Sequence, residues 1–431
     1  MRRILTDKKT RNACKIYAML KKHLQKKHLS FHTPGHKNAE WDITELSFSD
    51  NLSSPRGCIA EAEKDIALAL NANASFILTD GSTSGVLSML HAAKSLGVKT
   101  VATLAPLHKS VYNGCALLEL KTIEVPQTEW NVFTSKPHVD KLPSWLKKAD
   151  ALLITSPDYY GNIPPLSTLK TLCERAKIPL LIDGAHGGHL HYTKNLHAGT
   201  YADMWVDGVH KSLPALTQGA IVSAKTEKYA VALRAAVDVF RTTSPSYPIM
   251  ASVEYAVKYP KNECLERQVR AYASSSTRLQ VNEDYTKLCA LFGENAFAAH
   301  AYLESKGIYA EFCDGNVVCF YLSPATKASH FKALQRLLNK AFTLFPYVEK
   351  PNVQRIPAPR ILDENVHCEW IDLANAVGRI AATNCGLFPP CTPLVFKGEE
   401  ITKETVSLLQ KADNVFGLWQ NKISVIKNTK E

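Results

Sequence analysis

Lys211 sits in the stretch Ala202–Ala220, ADMWVDGVHKSLPALTQGA, beside His210 and among valines, leucines and alanines. An ammonium in apolar company costs free energy unless it finds a partner or loses its proton. A neutral lysine amine is a nucleophile able to form a Schiff base with a carbonyl. The ordinary alternative is a lysine that ends a strand and reaches water. Three further clusters bear on the choice. Asp80-Gly81-Ser82-Thr83-Ser84-Gly85 follows a short apolar run and precedes a helical pattern. Backbone N–H groups and hydroxyls there converge on a helix N-terminus, where an anion is favoured. The turn lacks the Walker lysine and the dinucleotide glycine spacing, so no nucleotide is specifically indicated. Asp183-Gly184-Ala185-His186-Gly187-Gly188-His189 follows another apolar run, and Leu107-His108-Lys109-Ser110 a third.

The elements that must position these clusters are readable from the pattern. Strand-like runs at 75–79, 100–104, 151–155 and 178–182 alternate with helical segments, which implies a mostly parallel sheet covered on both faces. In such sheets ligands bind at the carboxyl ends of the strands, where all these clusters project. The sequence predicts one amphipathic helix over 8–28, a helix over 59–72 and a mainly helical stretch over 253–288. Short strands and amphipathic helices follow from 295. The resulting expectation is a helical N-terminal segment (1–30), a large domain (31–290) and a smaller α+β C-terminal domain (291–431).

Composition narrows the class. Over 431 residues, 45% hydrophobic and 21% charged is an ordinary globular balance. The absence of a long uncharged apolar run argues against a membrane span, and the basic start has no apolar core behind it, unlike a secretory signal. The net charge of +11 is spread along helical-looking segments with no nucleic-acid-binding signature, which suits a solvated surface rather than a nucleic-acid partner. Eleven cysteines without a C-x-x-C pair suit a reducing cytoplasm and argue against a thiolate zinc site. A metal centre built from His32, His36, Asp183, His186 and His189 would leave Lys211 and the Ser82-Thr83 turn unexplained.

An anion turn, a strand-end carboxylate and an apolar lysine are together what pyridoxal 5′-phosphate requires: Gly81-Ser82-Thr83 for its phosphate, Asp183 for its ring nitrogen and Lys211 for its aldehyde. The motifs FHTPGHK, DITEL, DGSTSG, LHKS, SPDYYG, DGAHGGH, VHKSLPALTQ, TSPSYPIMAS and FPPCTPL occur in order across about residues 8–410. In this the chain resembles the Orn/Lys/Arg decarboxylases, in particular their short bacterial members without an N-terminal wing domain.

The resemblance implies a fold-type-I α/β large domain and decarboxylation of arginine, lysine or ornithine. It makes Lys211 the Schiff-base lysine, Asp183 the partner of the ring nitrogen, and Ser82 and Thr83 phosphate ligands. It stacks His108 on the cofactor ring, lays Ala185 against the other face and puts His186 and His210 at the substrate or phosphate. His210 or Lys211 would return a proton to Cα. A homodimer is implied, with Ser244 and Ser246 reaching the neighbouring subunit's site. Asp50, Glu61 and Glu63 are candidates for the cationic substrate tail. Three positions depart from the family pattern: Gly208 replaces a frequent phosphate-binding serine, Gly184 a glutamate, and Phe388-Pro389-Pro390-Cys391 the usual Tyr-Pro-Pro-Gly. The first bears on phosphate affinity and the last on the substrate pocket. Another fold-type-I enzyme, such as an aminotransferase, cyclase or lyase, or a non-catalytic relative, would share the same frame.

Overall fold

Strands rich in Leu, Ile and Val, each followed by a polar turn and an amphipathic helix, build the larger part of the molecule. The structure is a computed structural model that describes residues 1, 4–25, 29–37, 41–104, 107–125, 127–131, 133–137, 139–349, 367–387, 393–412 and 414–427. In chain order the strands of this part are β1 (Ala74–Leu78), β2 (Thr100–Leu104), β3 (Lys121–Glu124), a β4–β5 hairpin (Gln127–Asn131 and Thr134–Pro137), β6 (Ala151–Thr155), β7 (Leu180–Gly184), β8 (Met204–Asp207) and β9 (Ala220–Ala224). Seven of them form one sheet in the order β1-β9-β8-β7-β6-β2-β3. Pairing is parallel from β3 to β8 and antiparallel only where β9 meets β8 and β1. The C-terminal ends of β1, β2, β6, β7 and β8 therefore share one edge.

Side-chain alternation sends the two faces of this sheet into two apolar cores. Ile154, Ile182 and Trp205 face one, which is closed by α2 (Lys15–Leu24), α3 (Cys58–Leu70), α7 (Leu166–Ala176) and α10 (Tyr247–Lys258). Leu153, Leu181 and Val206 face the other, with α4 (Gly81–Ser95), α5 (Lys109–Leu117) and α9 (Glu227–Phe240). α4 approaches unusually closely: a Cβ on Gly85 would lie 2.6 Å from Val206 Cγ2. Any larger residue there would lift the helix and its first turn off the sheet.

The single helix expected over 8–28 is two, α1 (Lys8–Asn12) and α2. The break has a cause in the fold: the buried Glu254 carboxylate accepts the N–H groups of Lys15 (2.7 Å) and Ile16 (3.0 Å) and so starts a new helix there. The mainly helical reading of 253–288 also fails towards its end. After α10 and α11 (Glu263–Ala273) come β10 (Leu279–Gln280) and β11 (Lys287–Leu291). Lys-Leu-Cys-Ala-Leu is a short apolar run, which periodicity alone cannot assign to helix or strand.

β10 and β11 join β12 (Phe312–Cys313) and β13 (Val317–Tyr321) in a four-stranded antiparallel sheet, backed by helices Ala296–Ser305 and Ala328–Leu344. Its core already includes Leu265, Val269 and Tyr272 of α11, so this second unit draws on residues well before 291. A further apolar cluster gathers Leu373, Cys385, Val395, Ile401 and Ile423. No helix among the described residues is long and apolar enough to cross a membrane.

Candidate active site

At the shared strand edge the chain folds four polar clusters around Lys211. β8 ends at Asp207, and a single helical turn, α8 (Val209–Ser212), carries His210 and Lys211. The Lys211 Nζ lies 3.0 Å from His186 Nε2. His210 donates its Nδ1–H to the Gly219 carbonyl (2.8 Å), which leaves Nε2 as its acceptor atom. Burial and the neighbouring Lys211 hold the His210 pKa below the ordinary histidine value.

Asp183 stands one residue before the end of β7, on the face shared with Leu181 and Val206, the α4 side of the sheet. It is buried, and its Oδ1 accepts the Ala185 N–H at 3.1 Å. Burial raises its pKa, opposed by the positive charge of Lys211 and by that hydrogen bond. A carboxylate in so dry a place is stabilised by a cationic N–H partner. Ala185, also buried, follows directly.

Gly81 and Ser82 open α4, and Thr83 stands exposed beside them. The helix is not capped by the side chain of Asp80, which instead accepts the Thr242 N–H at 3.1 Å. Among the described residues Ser82 Oγ is buried with no hydrogen-bond partner, as are Ser156 Oγ and Ser212 Oγ. A Cβ at Gly208 would lie 2.4 Å from the Ala185 carbonyl oxygen and 2.6 Å from Ser82 Oγ. Glycine is thus what lets the Ser82 turn and the 183–185 turn close on each other. The side chain of a serine at 208 would occupy the space they share, so the departure from the family pattern is matched to this geometry.

His108 is the N-cap of α5. Its Nδ1 accepts both the N–H (3.1 Å) and the hydroxyl (2.8 Å) of Ser110, so the ring proton sits on Nε2. Burial, Lys211 and Lys109 push its pKa from 6.5 down to about 3, and the ring is neutral at physiological pH. A neutral imidazole held by its edge is suited to lie flat on an aromatic ring. Ser244 is exposed, and Ser246 begins α10 without a capping side-chain bond; both lie on the strap tied to Asp80 through Thr242.

The acidic candidates for a substrate tail are engaged elsewhere. Asp50 accepts the N–H groups of Asn51, Arg56, Gly57 and Ile59, Glu63 accepts the Ile77 N–H and faces Arg241, and Glu61 pairs with Lys15. The histidines considered as metal ligands are dispersed: His36 pairs with Asp42 at 3.0 Å and His189 with Asp284 at 2.8 Å. The Phe388–Cys391 stretch lies outside the described residues.

Four residues of the second unit enter the site unannounced by any motif. Tyr321 OH lies 2.9 Å from His186 Nδ1. Lys287, fully buried, donates to the His186 carbonyl (3.0 Å) and to Thr286 Oγ1 (2.9 Å), pairs with Asp284 Oδ2 (2.9 Å) and lies over the Tyr321 ring. Glu311, just before β12, has its pKa raised by desolvation, opposed by the charges of Lys211 and Lys287. One signal was available for Lys287: it is a lysine in an apolar run, as Lys211 is.

The orphaned serine hydroxyls, the Gly208 cradle, the buried Asp183 and Lys211 fit pyridoxal 5′-phosphate, and the sheet order with its strand-edge site is that of a fold-type-I enzyme of this cofactor. The model of the Orn/Lys/Arg decarboxylase major domain matches residues 39–287, and the chain belongs to that family of pyridoxal-phosphate-dependent amino-acid decarboxylases. The Bacillus subtilis protein YaaO is 27% identical, with 92% of this chain and 93% of that one covered. An arginine decarboxylase of Bacillus anthracis is 26% identical, with 92% of each chain covered. The constitutive lysine decarboxylase of E. coli has a similar fold, with a TM-score of 0.72 at 17% identity over 96% of this chain and 82% of that one.

Proposed function

We propose that this decarboxylase acts on a basic amino acid (arginine, lysine or ornithine) and releases CO2 and the corresponding amine. What supports the reading is the likeness to an arginine decarboxylase over 92% of the chain, and Glu311 is the residue we assign to the substrate tail. Its backbone N–H is tied to the Cys319 carbonyl (2.9 Å), and desolvation raises its pKa against the lowering effect of Lys211 and Lys287. A carboxylate within the field of the reactive lysine suits a substrate whose tail ends in a cation.

Bound there, pyridoxal 5′-phosphate supplies an electron sink for the pair left when the Cα–carboxylate bond breaks. The rest is the work of this chain. Lys211 offers the amine that holds the carbonyl. Asp183 would stabilise positive charge at the ring nitrogen, Gly81, Ser82 and Thr83 would offer donors to the phosphate at the start of α4, and His108 and Ala185 would hold the ring. His210, with Nε2 as its acceptor atom, and Lys211 are the groups placed to hold a proton near Cα. The reading includes a homodimer whose Ser244 and Ser246 approach the neighbouring site; the exposure of Ser244 supports it, and sedimentation against protein concentration tests it.

Assaying amine product from arginine, lysine and ornithine tests the substrate class. Glu311→Gln should raise KM for the preferred cationic substrate about ten- to hundredfold, the worth of a charged hydrogen bond, with kcat little changed. An unchanged KM, or an equal loss towards the uncharged norleucine, would remove Glu311 from the tail site.

A further inference from the structure

Tyr321 ends β13, in the second unit, and no motif of the sequence includes it. Its hydroxyl donates to the Tyr159 carbonyl at 3.0 Å. A phenol has one proton to give. Its oxygen therefore meets His186 Nδ1, 2.9 Å away, as an acceptor, and Nδ1 must carry the imidazole proton. A neutral imidazole carries only one, so Nε2, 3.0 Å from Lys211 Nζ, is a bare acceptor. The ring is neutral because burial, Lys211 and Lys287 hold its pKa well below the ordinary value.

The ring is also held in place. Tyr159 and Tyr321 stand edge-on to it, with centroids at 4.9 and 5.5 Å, and Lys287 fixes the backbone through the His186 carbonyl. The charged and titratable groups around it are Lys211 from α8, His108 from the start of α5, Lys287 of β11 and Asp284 just before it. Glu311 in turn faces the two lysines.

Which nitrogen carries the proton matters to Lys211. An amine attacks a carbonyl with its lone pair. When Nε2 is an acceptor, Lys211 gives His186 one of its N–H groups. In the opposite tautomer an Nε2–H would be donated onto the lone pair itself and would mask it. We propose that Tyr321 is a positioning residue for Lys211: by holding His186 in the Nδ1–H tautomer, it keeps a histidine proton off the lysine lone pair. The inference rests on Lys211 as the carbonyl-binding lysine.

Tyr321→Phe removes only the hydroxyl, so the Nε2–H tautomer becomes competitive. The test follows capture of pyridoxal 5′-phosphate by the cofactor-free protein, as the rise of visible absorption against pH. The rate plateau at high pH should fall about fivefold, the effect of one neutral hydrogen bond. Its midpoint should also move to lower pH, because an Nε2–H donor favours the amine over the ammonium. A wild-type profile, or a uniform loss with no shift of midpoint as a structural role would produce, overturns the proposal.

A second measurement needs no variant at Tyr321. In cofactor-free protein labelled with nitrogen-15 histidine, the His186 signals, identified by their loss in His186→Asn, should show a protonated Nδ1 and a bare Nε2. The reverse overturns it. Failure of the underlying reading is separable: Lys211→Ala would then still develop the visible band, whatever Tyr321 does.

Discussion

Two lysines lie within the same small region, and their surroundings make them different chemical objects. Lys287 is fully buried; its ammonium donates to the His186 carbonyl and Thr286 Oγ1 and pairs with the Asp284 carboxylate. Asp284 is in turn held by His189 and by the hydroxyl and N–H of Thr286, and its pKa lies far below the carboxylate range because of His189 and Lys287. This is a closed ion pair that holds a charge still. Lys211 is half-buried, meets a neutral histidine acceptor and lies in the field of a buried carboxylate with a raised pKa. Burial alone does not make a lysine reactive. What differs is the neighbour each one meets, an ionised carboxylate for Lys287 and a neutral imidazole acceptor for Lys211.

The most severe way to break this contrast is to exchange the lysines for apolar residues. Lys211→Ala should reduce decarboxylation to background and abolish the visible absorption of cofactor-loaded enzyme, with little loss of stability. Lys287→Met should keep that absorption yet lose about 3–5 kcal/mol of unfolding free energy, since it strands a buried carboxylate. Denaturant unfolding and absorption spectra of both variants decide it, and the opposite pattern would reverse the two roles.

Gly208→Ser sharpens the Lys211 side. Its Cβ would meet the Ala185 carbonyl and Ser82 Oγ inside van der Waals distance. Overpacking of this kind costs about 1–3 kcal/mol, so cofactor affinity should fall roughly five- to hundredfold by equilibrium dialysis. Tighter binding would mean that the cradle opens without strain.

The smallest effect concerns pH. His108 has its pKa depressed from 6.5 to about 3 in the folded chain, so unfolding takes up a proton between those values. Its share of stability is complete above about pH 6.5 and is lost progressively as pH falls towards 3. Between about pH 6.5 and 5 this amounts to roughly 2 kcal/mol, and His108→Phe should flatten the stability profile by that much. The Asp284–Lys287 pair contributes no slope there, because Asp284 stays ionised throughout.

Much of the site was legible because its parts are local. Ser82, His108 and Lys211 each lie just after a strand and Asp183 near the end of one, and the alternation of strands and helices brings them to one edge. The one-helix reading of 8–28 failed because a distant side chain, Glu254, starts the second helix. Glu311, Tyr321, Asp284 and Lys287 were not found for a similar reason. Each acts through a partner more than ninety residues away, except where Asp284 and Lys287 meet each other, and the strand bearing Lys287 looked like the tail of a helix. Asp50 shows the converse: an acidic residue in a plausible place, used entirely to begin α3.

The bond between Tyr321 and His186 also has a consequence in time. A chain made from its N-terminus has Lys211, His186, Asp183 and the Gly81-Ser82-Thr83 turn by Gly219, yet it lacks the tyrosine for about another hundred residues. Lys211 and His186 are thus both made before the tyrosine whose oxygen meets Nδ1, so under our proposal the tautomer is set only after β13 has been synthesised.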